Sequence, residues 1–206
     1  MHMINEQIVE EIKACEKLLI GIGEEWTAKG NEDIQQLYEK LQGLIQDKDY
    51  FIVTTVTDGE IRKSSLIQSR IVAPCGNVTW RQCSKSCKKD IWEPGEIPDD
   101  ICPHCGQPLT GNTIEAEDYI EEGYLPQWNA YTTWLTGTLN KRLLLLELGV
   151  GFKTPTVIRW PFEKTAVMNK KAHLYRIHGN FAQLSEAVKG KADSISENSL
   201  EFIRKL

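Results

Sequence analysis

Four cysteines carry the clearest chemistry in this chain of 206 residues. Cys83 and Cys87 enclose three residues, and Cys102 and Cys105 enclose two, within Cys-Pro-His-Cys. Each pair fits a short loop that turns two thiolates toward one tetrahedral metal ion. The stretch around them is rich in charge and poor in large apolar side chains, so burial alone would not fold it. Metal binding at such a site supplies folding free energy of about 10–16 kcal/mol. The spacing predicts a structural zinc ribbon at Cys83, Cys87, Cys102 and Cys105, with no open position for catalysis. Two disulfides or inert buried thiols are the other readings, and disulfides need an oxidising compartment. His104, between the last two cysteines, is expected to be an exposed knuckle residue.

A second group of residues has the pattern of a phosphate cradle. Gly21-Ile22-Gly23 follows the apolar run Leu18-Leu19-Ile20, and Gly149-Val150-Gly151 follows Leu143 to Leu148. Glycine lets backbone approach a pyrophosphate closely, and a helix start beyond it offers unpaired N–H groups. Thr54-Thr55-Val56-Thr57-Asp58-Gly59 and Pro74-Cys75-Gly76-Asn77 end two further strand-like runs. The full G-x-G-x-x-G fingerprint is absent, so an ordinary Rossmann dehydrogenase is unsupported.

These turns need a sheet to bring them together. Strands are expected at 18–20, 50–55, 70–73, 143–148 and 173–177, from apolar, β-branched and aromatic content. Helices are expected at 5–16, at 32–46, from Pro126 with Trp128, Tyr131, Leu135 and Leu139 inward, near 180–188, and at 196–205. Cys15 falls on a helix face as a small core residue. Trp160 and Phe162 are expected to pack rather than to stack on a base. Strands alternating with helices predict a Rossmann-like α/β fold, a parallel sheet with helices on both faces. The ribbon is an insert at 78–109, dividing the core domain into 1–77 and 110–206.

Bulk properties narrow the partners. Net charge is −5, which argues against a nucleic-acid binder driven by phosphate contacts. No apolar run approaches the length needed to span a bilayer. The N-terminus has no basic-then-apolar leader. A cytoplasmic location is the expectation, and six cysteines with four claimed by a metal agree with it.

The order of these features resembles the sirtuin family of NAD-dependent protein deacylases and ADP-ribosyltransferases. Gly21-Ile22-Gly23 is similar to the start of the family's G-A-G-x-S turn, and Thr54 to Gly59 to its T-Q-N-x-D-G segment. Ala73-Pro74-Cys75-Gly76-Asn77 stands in the place of E-L-H-G. Leu146 to Pro161 is similar to the G-T-S segment, and Leu174 to Asn180 to the strand ending in asparagine beside the adenosine. The resemblance implies NAD as cofactor beside structural zinc. It places cofactor contacts at Gly21, Gly23, Thr54, Thr55, Asp58, Gly149, Gly151 and His178, and catalysis at Asp58 and Cys75. NAD or ADP-ribose and an acylated or ADP-ribosylated protein are the implied partners.

Several positions depart from that pattern. Cys75 stands where the family has its general-base histidine, and a thiol near 8.5 is a poorer proton acceptor than imidazole near 6.5. Val56 replaces the nicotinamide-pocket asparagine and has no hydrogen-bonding group. Glu24 and Glu25 follow the first glycine turn, where a carboxylate facing inward would repel a pyrophosphate. The stretch from Trp26 to Tyr50 is short for the family's smaller lobe. Three readings follow: an NAD-dependent deacylase or ADP-ribosyltransferase, a catalytically degenerate NAD or ADP-ribose sensor or scaffold, and a zinc-stabilised interaction module without nucleotide.

Overall fold

The computed structural model describes residues 2–206, with side chains from residue 4 onward. The chain forms α1 (His2–Ala14), β1 (Lys17–Ile22), α2 (Ile34–Ile45), β2 (Tyr50–Thr54) and β3 (Ile71–Val72) before entering the ribbon. The ribbon holds β4 (Gly76–Cys83), β5 (Ile91–Trp92) and β6 (Leu109–Thr113). Then come α3 (Leu125–Thr136), β7 (Leu143–Leu148), α4 (Arg159–Met168), β8 (Ala172–Ile177), β9 (Ala192–Ile195) and α5 (Ser199–Lys205).

Six strands pair in the order β3-β2-β1-β7-β8-β9, and every pairing is parallel. Counted along the chain without the ribbon, that is the Rossmann order 3-2-1-4-5-6, with its reversal between β1 and β7. The two-residue period of the strands sorts their side chains onto two faces. Leu18, Ile20, Ile22, Leu144, Leu146, Leu148, Tyr175 and Ile177 pack with α1, α2 and α5. Leu19, Phe51, Val53, Leu143, Leu145 and Leu174 pack with residues of α3 and α4.

On that second face three aligned strand positions are not apolar. Gly21 pairs with Glu147, and Glu147 with Arg176. Gly21 makes room for α4: a β-carbon there would sit 2.5 Å from Ile158 Cγ2 and 3.1 Å from the Phe162 ring. Its glycine thus serves helix-on-sheet packing. Gly21→Ala is expected to cost about 1–3 kcal/mol by overpacking, read as a lower urea midpoint with an unchanged slope. An unchanged midpoint would mean that α4 is not seated on this residue.

The ribbon is a three-stranded antiparallel sheet, β5-β4-β6, spanning 76–113. Its base rests on the body through a buried amide network. Asn112 Nδ2 donates to Gln82 Oε1 and Ile120 O, each at 2.8 Å, and Gln82 Nε2 donates to Asp118 O at 2.8 Å. The Arg62 guanidinium lies 5.2 Å from the Trp80 ring centroid, a cation–π contact between body and ribbon.

Some sequence expectations shift. Residues 180–188 form no α-helix; they are an open loop ending in a single 3-10 turn at Glu186–Val188. The chain then adds β9, a short edge strand that the sequence reading did not contain. Helix α4 was also not anticipated. Leu139 lies beyond the end of α3 and is 58% exposed, and Trp134 takes the inward position. Phe162 packs as expected, whereas Trp160 faces solvent. Among the described residues, no helix is long and apolar enough to cross a membrane.

Candidate metal centre and strand-end crevice

The four ribbon cysteines converge. Their sulfur atoms all lie within 4.8 Å of one another, with Cys83–Cys105 and Cys87–Cys102 each at 3.5 Å. A tetrahedral zinc with bonds near 2.3 Å has sulfur–sulfur edges of about 3.8 Å, so the arrangement fits one ion bound by all four. The Cys87 backbone N–H, with that of Lys85 3.4 Å from the sulfur, draws the Cys83 thiol down to about 6. Thiolate is the ligand form, and in the same cluster the Cys105 thiol and burial push the Cys87 thiol the other way, up to about 12. His104 is turned away, with Nε2 2.6 Å from Asp90 Oδ2.

On the side of the sheet from which the ribbon springs, the carboxyl ends of β1 and β7 form the topological switch point. In open α/β sheets this crevice is where ligands bind. Here the two turns are stitched together. Gly23 N donates to Leu148 O at 2.9 Å, and Glu25 N donates to Gly149 O at 3.3 Å. A β-carbon on Gly23 would collide with Gly149 O and Val150 Cα. Gly149 adopts φ +65°, a left-handed conformation that favours glycine.

The N–H groups of these turns point at the chain's own carboxylates. Glu24 Oε2 accepts from Gly151 N at 2.7 Å, and Oε1 from Lys153 N at 3.4 Å. Glu25 Oε1 accepts from Gly179 N at 2.9 Å, while Oε2 accepts from Ser199 N and Ser199 Oγ, both at 2.7 Å. The next residue, Trp26, is fully buried, with its ring 5.1 Å from Tyr38 and its Nε1 donating to Ser199 Oγ at 3.1 Å. Both carboxylates therefore face inward, and a core tryptophan fixes the backbone beside them.

His178 closes the same region. Its Nδ1 accepts the N–H groups of Asn180 at 3.0 Å and Phe181 at 3.1 Å. Two N–H donors at Nδ1 place a ring proton on Nε2, and burial lowers the pKa of the ring against the opposing pull of Glu25, whose Oε1 lies 3.3 Å from Nδ1. Two buried arginines brace the loops from beneath. Arg159 donates to Val150 O at 2.7 Å, Phe181 O at 2.9 Å and Gln183 O at 3.0 Å. Arg176 forks onto Glu147 at 2.6 and 3.0 Å and reaches Glu163 at 2.7 Å. Sequence reading did not single out these arginines. The one signal was a glutamate inside the leucine run of β7, a buried charge that demands a partner.

Beside the crevice a cleft of about 30 Å³ is lined by Glu24, Thr55, Thr57, Cys75, Glu115 and Thr154, among others. That volume holds about two waters. Cys75 is 3% exposed, its sulfur is 4.0 Å from Thr154 Oγ1, and burial pushes its thiol up. Thr55 Oγ1 is buried and makes no hydrogen bond, while Thr54 Oγ1 accepts from Val56 N at 3.1 Å. Asp58 is engaged structurally: it accepts from Ala28 N at 2.8 Å and from Glu60 N at 3.0 Å.

No protein-family model matches the chain. It is 26% identical over 174 residues to a protein ADP-ribosyltransferase of Staphylococcus aureus, covering 71% of this chain and 55% of that protein. It is 28% identical over 145 residues to a probable bifunctional ADP-ribose hydrolase/ADP-ribosyltransferase of Fusarium oxysporum, covering 56% of this chain and 23% of that protein. The chain thus spans about half the length of the first relative and a quarter of the second. Among solved structures, a Sir2 in complex with an inhibitor, 2'-O-acetyl-ADP-ribose and a deacetylated p53 peptide superposes with TM-score 0.64 at 11% identity, covering 97% of this chain and 96% of that one. An ADP-ribose complex of a mutant Sir2 homologue gives TM-score 0.57, also at 11% identity, with the same two coverages.

The chain has a divergent sirtuin fold. Within that fold, the structure gathers most of the expected site residues at one end of the sheet. Thr55 and Cys75 share the cleft with Glu24. Gly23, Gly149, Gly151 and His178 surround the glutamate-filled crevice. Gly21 lies under α4, and Asp58 serves the loop before α2. Val56 is 8% exposed and belongs to the apolar cluster on the α1–α2 side, while its neighbours Thr55 and Thr57 line the cleft. The orphan hydroxyl of Thr55 would suit a polar ligand. The crevice as it stands does not fit a pyrophosphate, because Glu24 and Glu25 already hold its N–H donors.

Proposed function

We propose that this chain is a catalytically silent sirtuin-fold protein, a binder for an ADP-ribose-type ligand rather than a transferase, with a structural zinc in its ribbon. One observation carries the reading: the buried, pKa-raised thiol of Cys75 stands where the resemblance puts the proton acceptor. At neutral pH such a thiol is almost wholly protonated and cannot take a proton from a ribose hydroxyl. Supporting it, Val56 lies in the apolar core. The chemistry that NAD supplies when bound is a labile nicotinamide–ribose bond; the residues around the cleft offer Thr55 and Thr154 hydroxyls to orient a polar ligand.

A transferase is the second reading, favoured by the names of both curated relatives. Its only carboxylate bases at the cleft would be Glu24 and Glu115. Glu24 is held by two backbone N–H groups, and Glu115 is exposed beside Lys153 at 3.3 Å.

Nicotinamide release from NAD, with and without an acyl-lysine peptide or a protein acceptor, separates the two readings. The expected result is no release above buffer, together with calorimetric binding of ADP-ribose that appears only at millimolar ligand. Release at the rate of a working sirtuin would overturn the silent reading.

A further inference from the structure

We infer that Glu24 and Glu25 form an internal occupant of the diphosphate seat, so that any nucleotide must displace this chain's own carboxylates. The inference rests on the ligand-binding reading above. The seat is the set of N–H groups of Gly151, Lys153, Gly179 and Ser199 with the Ser199 hydroxyl, drawn from the loops after β7 and β8 and the start of α5. Such converging backbone N–H groups at a switch point form an anion site. Here the anions are covalent parts of the chain, supplied by the turn that leaves β1.

Three observations make the arrangement a built one. Both oxygens of Glu25 are engaged, its side chain is 11% exposed, and its β-carbon occupies the space a Gly149 side chain would need. Glu24 likewise fills the room beside Gly151, where an added β-carbon would meet its carboxylate at 3.1–3.3 Å. Trp26, fully buried and bonded to Ser199 Oγ, anchors the backbone beside the two glutamates in the core. A diphosphate arriving with the glutamates in place would find its donors taken and two like charges at contact distance. The sites differ in function from an open cradle: the pair selects against phosphate-bearing ligands and sets the threshold concentration at which one binds.

The test is calorimetry on the full chain with ADP-ribose and with inorganic pyrophosphate. Wild type is compared with the Glu24→Ser/Glu25→Ser double variant and with Glu25→Gln. The double variant should bind both ligands at least tenfold more tightly than wild type. Its melting temperature should fall without ligand, because buried N–H groups lose their partners, and recover with pyrophosphate. Glu25→Gln keeps one acceptor oxygen and removes the charge but sets an NH2 against one of the N–H donors, so it should melt below wild type yet above the double variant and bind ADP-ribose with intermediate affinity; it serves if the double variant does not fold. Equal ADP-ribose affinity in wild type and variants overturns the inference and leaves the nucleotide reading standing. Tight pyrophosphate binding without ADP-ribose binding in the double variant supports the occupied seat and defeats the nucleotide reading. A folded variant that takes neither ligand overturns the seat itself.

Discussion

Stripping the metal with a strong chelator is expected to abolish amide protection over residues 83–109 while β1, β2, β7 and β8 keep theirs. The ribbon's tip has almost no apolar core. Cys83 and Cys102 are its buried apolar side chains, whereas Ile101 is 51% and Val78 48% exposed. Four thiolates within 4.8 Å of one another repel unless a cation or protons neutralise them. A metal ion held by all four would therefore carry the folding of the tip, on the scale of about 10–16 kcal/mol at the binding step. The base of the ribbon has a second anchor in Gln82, Asn112 and the backbone of Ile120, so protection there should decline less. Hydrogen exchange read by mass spectrometry, with Cys102→Ser as the chelator-free equivalent, checks the result. Loss of protection throughout the six-stranded sheet would show that the ribbon supports the body.

The second large effect is expected at Arg176. Its guanidinium is 1% exposed and satisfies Glu147, which is fully buried, as well as Glu163 and the Gln183 carbonyl. Arg176→Leu leaves Glu147 without its fork. Removing one partner of a buried pair costs about 3–5 kcal/mol, because the remaining charge stays desolvated. The double change Arg176→Leu/Glu147→Leu should recover much of that loss, since a well-packed apolar pair can match a buried ion pair. Urea unfolding of the four members of this cycle gives the coupling directly. A double variant no better than the single would mean that Glu163 and Gln183, rather than Glu147, hold the arginine's stabilising role.

The sheet was legible in the sequence wherever a strand is buried on both faces. Leu18–Ile20 and Tyr50–Thr54 are unbroken apolar or β-branched runs, Leu143–Leu148 is interrupted only by Glu147, and each became a central strand. The edge was not. Ala192–Ile195 has two exposed residues out of four and no alternation to announce β9. Helix α4 begins Arg-Trp-Pro with Trp160 exposed and Arg159 buried, which inverts the usual amphipathic signature. The convergence of the four cysteines was readable because they sit close in sequence. The crevice was readable only as a location. Glu24 and Glu25 were visible as a departure, but their inward direction depends on Trp26 entering the core and on loops more than a hundred residues away.

The ribbon leaves and rejoins the body at a single point. Gly76 pairs with Thr113 across an antiparallel ladder, and Ile114 N donates to the Cys75 carbonyl at 3.1 Å. Paired positions in such a ladder lie about 4.5–5.5 Å apart, a gap that one or two residues can span. The four-cysteine segment is thus grafted through a narrow stem whose root is the thiol-bearing residue of the cleft. Such an appendage can be lengthened, trimmed or exchanged beyond its stem without disturbing the register of any strand in the sheet, even though it springs from the same side as the strand-end crevice.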